Sequence, residues 1–340
     1  MRVLKTVAEY IWLGARNDIR SKTKTITSLL RDETNSAKFP SWNFDGSSTE
    51  QATGEQSEVQ LKPQKVFPHP FRGYNFLVLC DTYTMDGEPH PTNTRFNADT
   101  LFDKHQEKRP LYGMEQEYFL IDKKTQKPLG FPSDGRRPPQ QGQYYCSNGS
   151  QNAFGREIAE EHYRTCLQAG LDISGINAEV APGQWEYQIG PCEGISAGDQ
   201  LWTSRFLMER ISEKYGYKVD WSPKPMVGDW NGSGCHFNFD TVEMIQEGGY
   251  DRINSILENM KLLHQEHMKV YGEANEKRMV GAYETAKYNE FTYGVASRNT
   301  SVRIPHNTFI NKKGYIEDRR PASNCDPYLV SSKLLEATIM

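Results

Sequence analysis

The chain has 340 residues, enough to bury a large core and to form two domains. Its 40 basic and 44 acidic side chains leave a net charge of −4 with no long block of one sign, which argues against a nucleic-acid or membrane-surface partner. The longest wholly apolar run, 76–80, is too short to cross a bilayer. Residues 1–5 (M-R-V-L-K) lack the apolar core of a leader peptide. Six scattered cysteines (Cys80, Cys146, Cys166, Cys192, Cys235, Cys325) form no Cys-x-x-Cys pair, so they read as reduced thiols of a cytoplasmic protein rather than zinc ligands.

The first ~85 residues read as short strands and loops. Residues 7–13 are strand-like, 23–26 are a plausible partner, and 75–80 form a further apolar strand. Between them, S-W-N-F-D-G-S-S-T at 41–49 reads as a loop with an Asp-Gly turn. The domain boundary is expected within 86–98 and is drawn as 1–90 and 91–340. Residues 97–106 then suit a helix capped by Asn97.

Residues 113–121 follow, a strand in which Glu115 and Glu117 share one face about 7 Å apart. That face continues into Phe119 and Ile121, which should be buried, so two like charges there call for a counter-charge. A helix is expected over 154–169, ended by Gly170. Residues 176–180 and 184–189 flank A-P-G and suit a hairpin. Gln184, Glu186 and Gln188 line its polar face, with Glu179 on the facing strand, while Trp185, Tyr187 and Ile189 turn to the core. Helices are expected over 199–215 and 250–270. Between them, His236, Asn238 and Asp240 alternate with Phe237 and Phe239 beside a Gly-rich approach. Helices alternating with antiparallel strands, without the rhythm of βαβ units, give an α+β class.

Towards the end of the chain, Glu317 and Arg319 share a strand face, and Arg303 is pinned between Val302 and Ile304, which face away. Five glutamates and one histidine thus sit at strand positions backed by mostly apolar faces. Hard oxygen donors with one imidazole suit Mg²⁺ or Mn²⁺, and Mg²⁺ among carboxylates usually accompanies phosphate chemistry. Arg278, Arg298, Arg303 and Arg319 could capture carboxylate or phosphate. Glu284, in a loop near Gly281, could act as a lid.

Five segments carry a resemblance: W-N-F-D-G-S-S-T (42–49), G-M-E-Q-E-Y-F-L (113–120), A-E-V-A-P-G-Q-W-E-Y-Q-I-G (178–190), N-G-S-G-C-H-F-N-F (231–239) and G-Y-I-E-D-R-R-P-A-S-N-C-D-P (314–327). In this order, from about Glu9 to Leu335, they resemble glutamine synthetase of the shorter, eukaryotic type II. The resemblance implies a small N-terminal β-grasp domain and a larger catalytic domain with a curved antiparallel sheet flanked by helices. It implies stacked rings, expected as homodecamers, with each site between neighbouring subunits.

The resemblance also implies roles for residues. Glu117, Glu179 and Glu186 would hold one metal, and Glu115, His236 and Glu317 the metals that bridge the phosphates of ATP, two to three ions in all. Ser48, Asn231, Gly232, Arg278, Arg298 and Arg319 fall to substrate binding, with Asn231, Gly232 and the three arginines on glutamate. Glu186, His236, Asn238, Arg298, Arg303 and Tyr315 fall to the nucleotide. Arg303 would stabilise phosphoryl transfer. Asp45, with Ser48 and either Tyr144 or Tyr145, would form the ammonium pocket, and Glu284 the lid. Departures are Tyr283 where many members have His, Glu290 for the usual Asp, Phe237 after His236, and Lys287-Tyr288.

The activity expected is ATP-dependent ligation of ammonia to L-glutamate through γ-glutamyl phosphate, a step of nitrogen metabolism. The alternatives are a ligase joining glutamate to a larger amine such as a polyamine, a ring-forming regulatory protein with a dead site, and a guanidino-kinase-like phosphotransferase, in which the Asp45 loop has no purpose.

Overall fold

The computed structural model describes residues 5–27, 34–132, 134, 136 and 140–340. Residues 1–4, on which the absence of a leader was read, lie outside them. The chain divides into two compact units, Met1–Thr100 with Thr165–Leu171, and Leu101–Arg164 with Asp172–Met340. Among the described residues, no helix is long and apolar enough to cross a membrane.

The first unit is built on a five-stranded sheet of β1 (Lys5–Leu13), β2 (Ile19–Thr27), β3 (Trp42–Asp45), β4 (Glu58–Pro68) and β5 (Phe76–Tyr83), in the order β2-β1-β5-β4-β3. The central β1–β5 pair is parallel and its neighbours are antiparallel. Strand alternation sends Ala8, Tyr10 and Trp12 from β1, Val59 and Leu61 from β4, and Phe76 and Val78 from β5 into one core. Trp12 packs on Phe44, and Tyr10 meets Trp42 edge-on. The α-helix α1 (Thr94–Lys104) follows.

The second unit carries a nine-stranded sheet, with β6 (Leu111–Asp122) near its centre. The other strands are β7 (Lys127–Pro128), β8 (Ile173–Ala178), β9 (Gln184–Glu193), β10 (Tyr217–Asp220), β11 (Cys235–Asp240), β12 (Tyr293–Val295), β13 (Val302–Ile304) and β14 (Ile316–Asp318). The order β12-β13-β14-β11-β6-β9-β8 is antiparallel except at β12–β13, and β7 and β10 pair with β6. The remaining α-helices are α2 (Arg156–Gln168), α3 (Ser196–Tyr215), α4 (Gly249–Leu262), α5 (His264–Met268), α6 (His306–Asn311) and α7 (Pro327–Ile339).

The α+β class is the one the chain adopts. Tyr112, Met114, Gln116 and Tyr118 of β6 are buried on the face that meets α3 and α7. There the Tyr112 hydroxyl donates to the Ser331 carbonyl of α7 at 2.8 Å. Arg205 of α3 forks onto the Gln116 side-chain oxygen at 3.0 and 2.6 Å and onto the carbonyls of Ser323 and Cys325. The opposite face carries Glu115 and Glu117, and further along the buried Phe119 and Ile121, as alternation predicts.

Several boundaries differ from expectation, each for a local reason. The Asn93 side chain accepts from the Phe96 amide, so α1 begins at Thr94 and Asn97 lies inside it. The expected helix over 250–270 is two, α4 and α5, separated at Leu263. The 41–49 stretch is not all loop: Trp42–Asp45 pairs with β4, and only Gly46–Thr49 turns, as a 3₁₀ helix. Strand β4 was not foreseen at all. Its Pro63 lacks a ladder donor, and the register shifts between Pro63 and Lys65, which breaks the alternation.

Candidate active site

Four adjacent strands bring the acidic positions together. Register opposes Glu115 to His236 across β6 and β11, and Glu117 to Glu186 across β6 and β9. Glu317 of β14 lies opposite Asn238 on one side and Arg303 of β13 on the other. Glu179 follows β8, where its amide donates to the Gln184 carbonyl. All these side chains except Asn238 line one cleft, together with Arg278, Arg298 and Arg319.

Two groups of potential ligands stand in the cleft. Glu115, His236 and Glu317 offer one atom each within 4.8 Å of one another, and so do Glu117, Glu179 and Glu186. In the first group, His236 Nδ1 is 3.4 Å from Glu115 and 3.5 Å from Glu317. Asn238 donates to Glu115 at 2.8 Å, Arg319 donates to Glu317 at 2.7 Å, and Arg303 pairs with its other oxygen. Burial, reinforced by the Arg319 charge and opposed by Glu115 and Glu317, lowers the pKa of His236, which favours the neutral imidazole that can ligate a metal. Burial opposes ionisation of Glu115, but His236, Asn238 and Arg319 outweigh it.

The second group has fewer compensating partners. Burial raises Glu117 to about 7 and Glu179 to about 8, and Glu186 lies well above the carboxylate range, each pushed further by its carboxylate neighbours. The Gly234 amide donates to Glu117 at 2.8 Å, and Asn177 and the Val180 amide donate to Glu179 at 3.1 Å each. Three clustered carboxylates with no other donor type fit a hard divalent cation, and the oxygen-plus-imidazole group fits the same class of ion.

The arginines differ in how they are held. Arg278 is buried, with its guanidinium on the carbonyls of Arg319, Arg320 and Pro321 and on the Asn275 side chain. Arg319 also donates to the Glu284 carbonyl at 3.2 Å, while Arg298 is 3.6 Å from the Glu284 carboxylate. Val302 and Ile304 are buried behind Arg303, as expected.

Of the two tyrosines left open, Tyr145 lines the cleft, whereas Tyr144 is buried beside Phe154. Asn231 and Gly232 line it too. Gln141, which no sequence pattern singled out, grips Asn231 with reciprocal bonds of 2.7 and 2.9 Å. Asn238 and Tyr315 line an adjoining cavity of about 340 Å³ that shares Glu115 with the first. Asp45 and Ser48 belong to the other unit. There Asp45 caps the 3₁₀ turn, accepting from Ser47 and Ser48, and these bonds hold its carboxyl below the usual range.

Comparison with known proteins gives a consistent result. Residues 95–248 match the family model described as glutamine synthetase, catalytic domain. The chain is 53% identical to glutamine synthetase cytosolic isozyme 1-1 of Oryza sativa subsp. japonica over 99% of its length and 94% of the relative's. It is 52% identical, with the same coverage, to glutamine synthetase root isozyme 3 of Zea mays. A cryo-electron-microscopy structure of Plasmodium falciparum glutamine synthetase superimposes with a TM-score of 0.77 over 98% of this chain and 71% of that one, at 16% identity, which speaks for the fold.

Proposed function

The chain belongs to the glutamine synthetase family, and from that premise we propose how its residues perform the reaction. It is a glutamate–ammonia ligase, forming glutamine in an ATP-dependent reaction. The compartment we assign is the cytoplasm, in keeping with the cytosolic isozyme among its relatives.

The difficulty of the reaction is that a carboxylate is a poor electrophile and repels ATP. In our reading, Asn231, Gly232, Arg278, Arg298 and Arg319 hold glutamate while its γ-carboxylate oxygen attacks the terminal phosphorus of ATP. ADP departs, leaving γ-glutamyl phosphate, whose phosphate is a good leaving group. Arg303 faces the charge that develops on the transferring phosphoryl group. Mg²⁺ or Mn²⁺ ions, held by Glu117, Glu179 and Glu186 and by Glu115, His236 and Glu317, would neutralise phosphate charge. The observation that carries this reading is the crowding of Glu117, Glu179 and Glu186, whose mutual repulsion asks for a multivalent cation.

The second half of the reaction needs ammonia free of its extra proton. Asp45, Ser48 and Tyr145 would make the ammonium pocket, with Asp45 supplied by a neighbouring subunit of a stacked ring, expected as a homodecamer. Its low pKa makes Asp45 an anion that attracts the cation first. That carboxylate then takes one proton to give free ammonia, whose lone pair attacks the acyl carbon; the bond to the phosphate oxygen breaks, and the second proton lost by nitrogen leaves with the phosphate. Glu284 closes over the intermediate and keeps water away.

The decisive test is Asp45→Ala, assayed separately for glutamate-dependent ADP release and for glutamine. ADP release should persist while glutamine formation falls by about 10²–10⁴. Unchanged glutamine output would remove Asp45 from the mechanism.

A further inference from the structure

The loop that carries Glu284 is held in an unusual backbone state. Tyr283 and Glu284 have φ of +55° and +61°, two consecutive side-chain-bearing residues in the left-handed region that glycine favours. The turn is closed by the Thr285 amide on the Ala282 carbonyl at 3.2 Å, and contacts from outside it fix where it sits. Arg319 supplies one contact by donating to the Glu284 carbonyl. Tyr283 supplies another, its hydroxyl donating to Asp229 Oδ1 at 2.7 Å.

Asp229 is two residues from Asn231 and three from Gly232, the residues we assign to glutamate. Their loop is internally knit. Lys224 donates to the Gly228 and Trp230 carbonyls and places its ammonium 4.7 Å from the centre of the Tyr283 ring, and Gln141 grips Asn231. Tyr283 therefore rests on the substrate loop with both its ring and its hydroxyl.

We propose that Tyr283 is a positioning residue that latches the Glu284 loop onto the 224–232 loop, so that glutamate in its subsite sets the place of the lid. The latch rests on the lid role given to Glu284 above. It explains how a carboxylate paired with a half-exposed arginine is kept over the cleft. Coupling runs through one hydrogen bond and one ring contact, which are local and removable.

The experiment compares Tyr283→Phe, Asp229→Ala and Asp229→Asn with the wild type, since Asn keeps an acceptor oxygen for the hydroxyl. At saturating glutamate and limiting ammonium, the fraction of phosphate released without glutamine is expected to rise about two- to tenfold in Tyr283→Phe and Asp229→Ala, the shift one hydrogen bond carries. Asp229→Asn should stay near the wild-type fraction. Hydrogen exchange gives a second readout: glutamate should slow 224–232 and 281–286 together in the wild type, but 224–232 alone in Tyr283→Phe. Wild-type coupling and wild-type exchange in Tyr283→Phe would overturn the latch. A wild-type chain that turns over ATP with glutamate yet makes no glutamine would overturn the proposed chemistry instead, with the exchange comparison still deciding the latch.

Discussion

His162 and His267 are buried histidines with depressed pKa values, to about 4 and about 3, by burial in both cases and for His267 also by the charge of Arg320. Unfolded, each would take a proton near pH ~6.5, so the unfolded chain binds more protons below that pH. Their stability is fully present above about 6.5 and is lost as pH falls towards the folded values. His162 Nε2 donates to the Ser204 carbonyl at 2.9 Å, which a glutamine amide can imitate. His162→Gln should therefore flatten the fall of thermal stability between pH 6.5 and 4.5, by up to about 1.4 kcal/mol per pH unit. Equal slopes in thermal melts across that range would refute the assignment. At this scale the alternation of strand side chains already exposed Glu115, Glu117, Glu186 and His236 in the sequence. Gln141 and Asp229 were not visible, because their partners lie 90 and 54 residues away and no period marks a loop residue.

Among the elements, the substrate loop packs on Arg278 with no room to spare. A methyl at Gly232 would stand 2.2 Å from the Pro223 carbonyl oxygen and 2.6 Å from Arg278 Cγ. Gly232→Ala should displace the arginine, raising the glutamate KM about tenfold and lowering stability by about 1–3 kcal/mol. Steady-state kinetics and thermal denaturation would check this, and wild-type values in both would show that the loop yields freely. The break at Leu263 shows where local reading of an element ends. Apolar periodicity runs on from Ile253 through Met260 towards Met268, so the sequence suggests one helix. The shift to α5 places His264 and His267 with ring nitrogens 3.1 and 3.0 Å from the guanidinium of Arg320, a buried cation from the far end of the chain. That demand is tertiary and leaves no mark on the segment itself.

At the scale of the whole molecule, the proposed ring makes a quantitative claim. If each site takes Asp45 from one chain and Glu186 from its neighbour, Asp45→Ala and Glu186→Ala chains are each inactive alone but complementary when co-expressed. About a quarter of the sites in randomly mixed rings would be intact. Purified mixed assemblies should recover roughly that share of wild-type turnover, and none would be recovered if each chain built its own site. The α+β class and the convergence of acids on one sheet were legible in advance, whereas the assignment of 165–171 to the first unit was not, since it depends on packing beyond the helix.

The two faces of β6 have one more consequence, for how this chain can change over evolutionary time. Met114, Gln116 and Tyr118 point one way, Glu115 and Glu117 the other. Inserting or deleting a single codon within 114–118 would turn the downstream part of that set inside out, acids into the apolar layer and aromatics into the cleft. Point substitutions here can be graded, but changes of length cannot. Descendants of this sequence should vary in length in the turns and leave the spacing of this strand untouched.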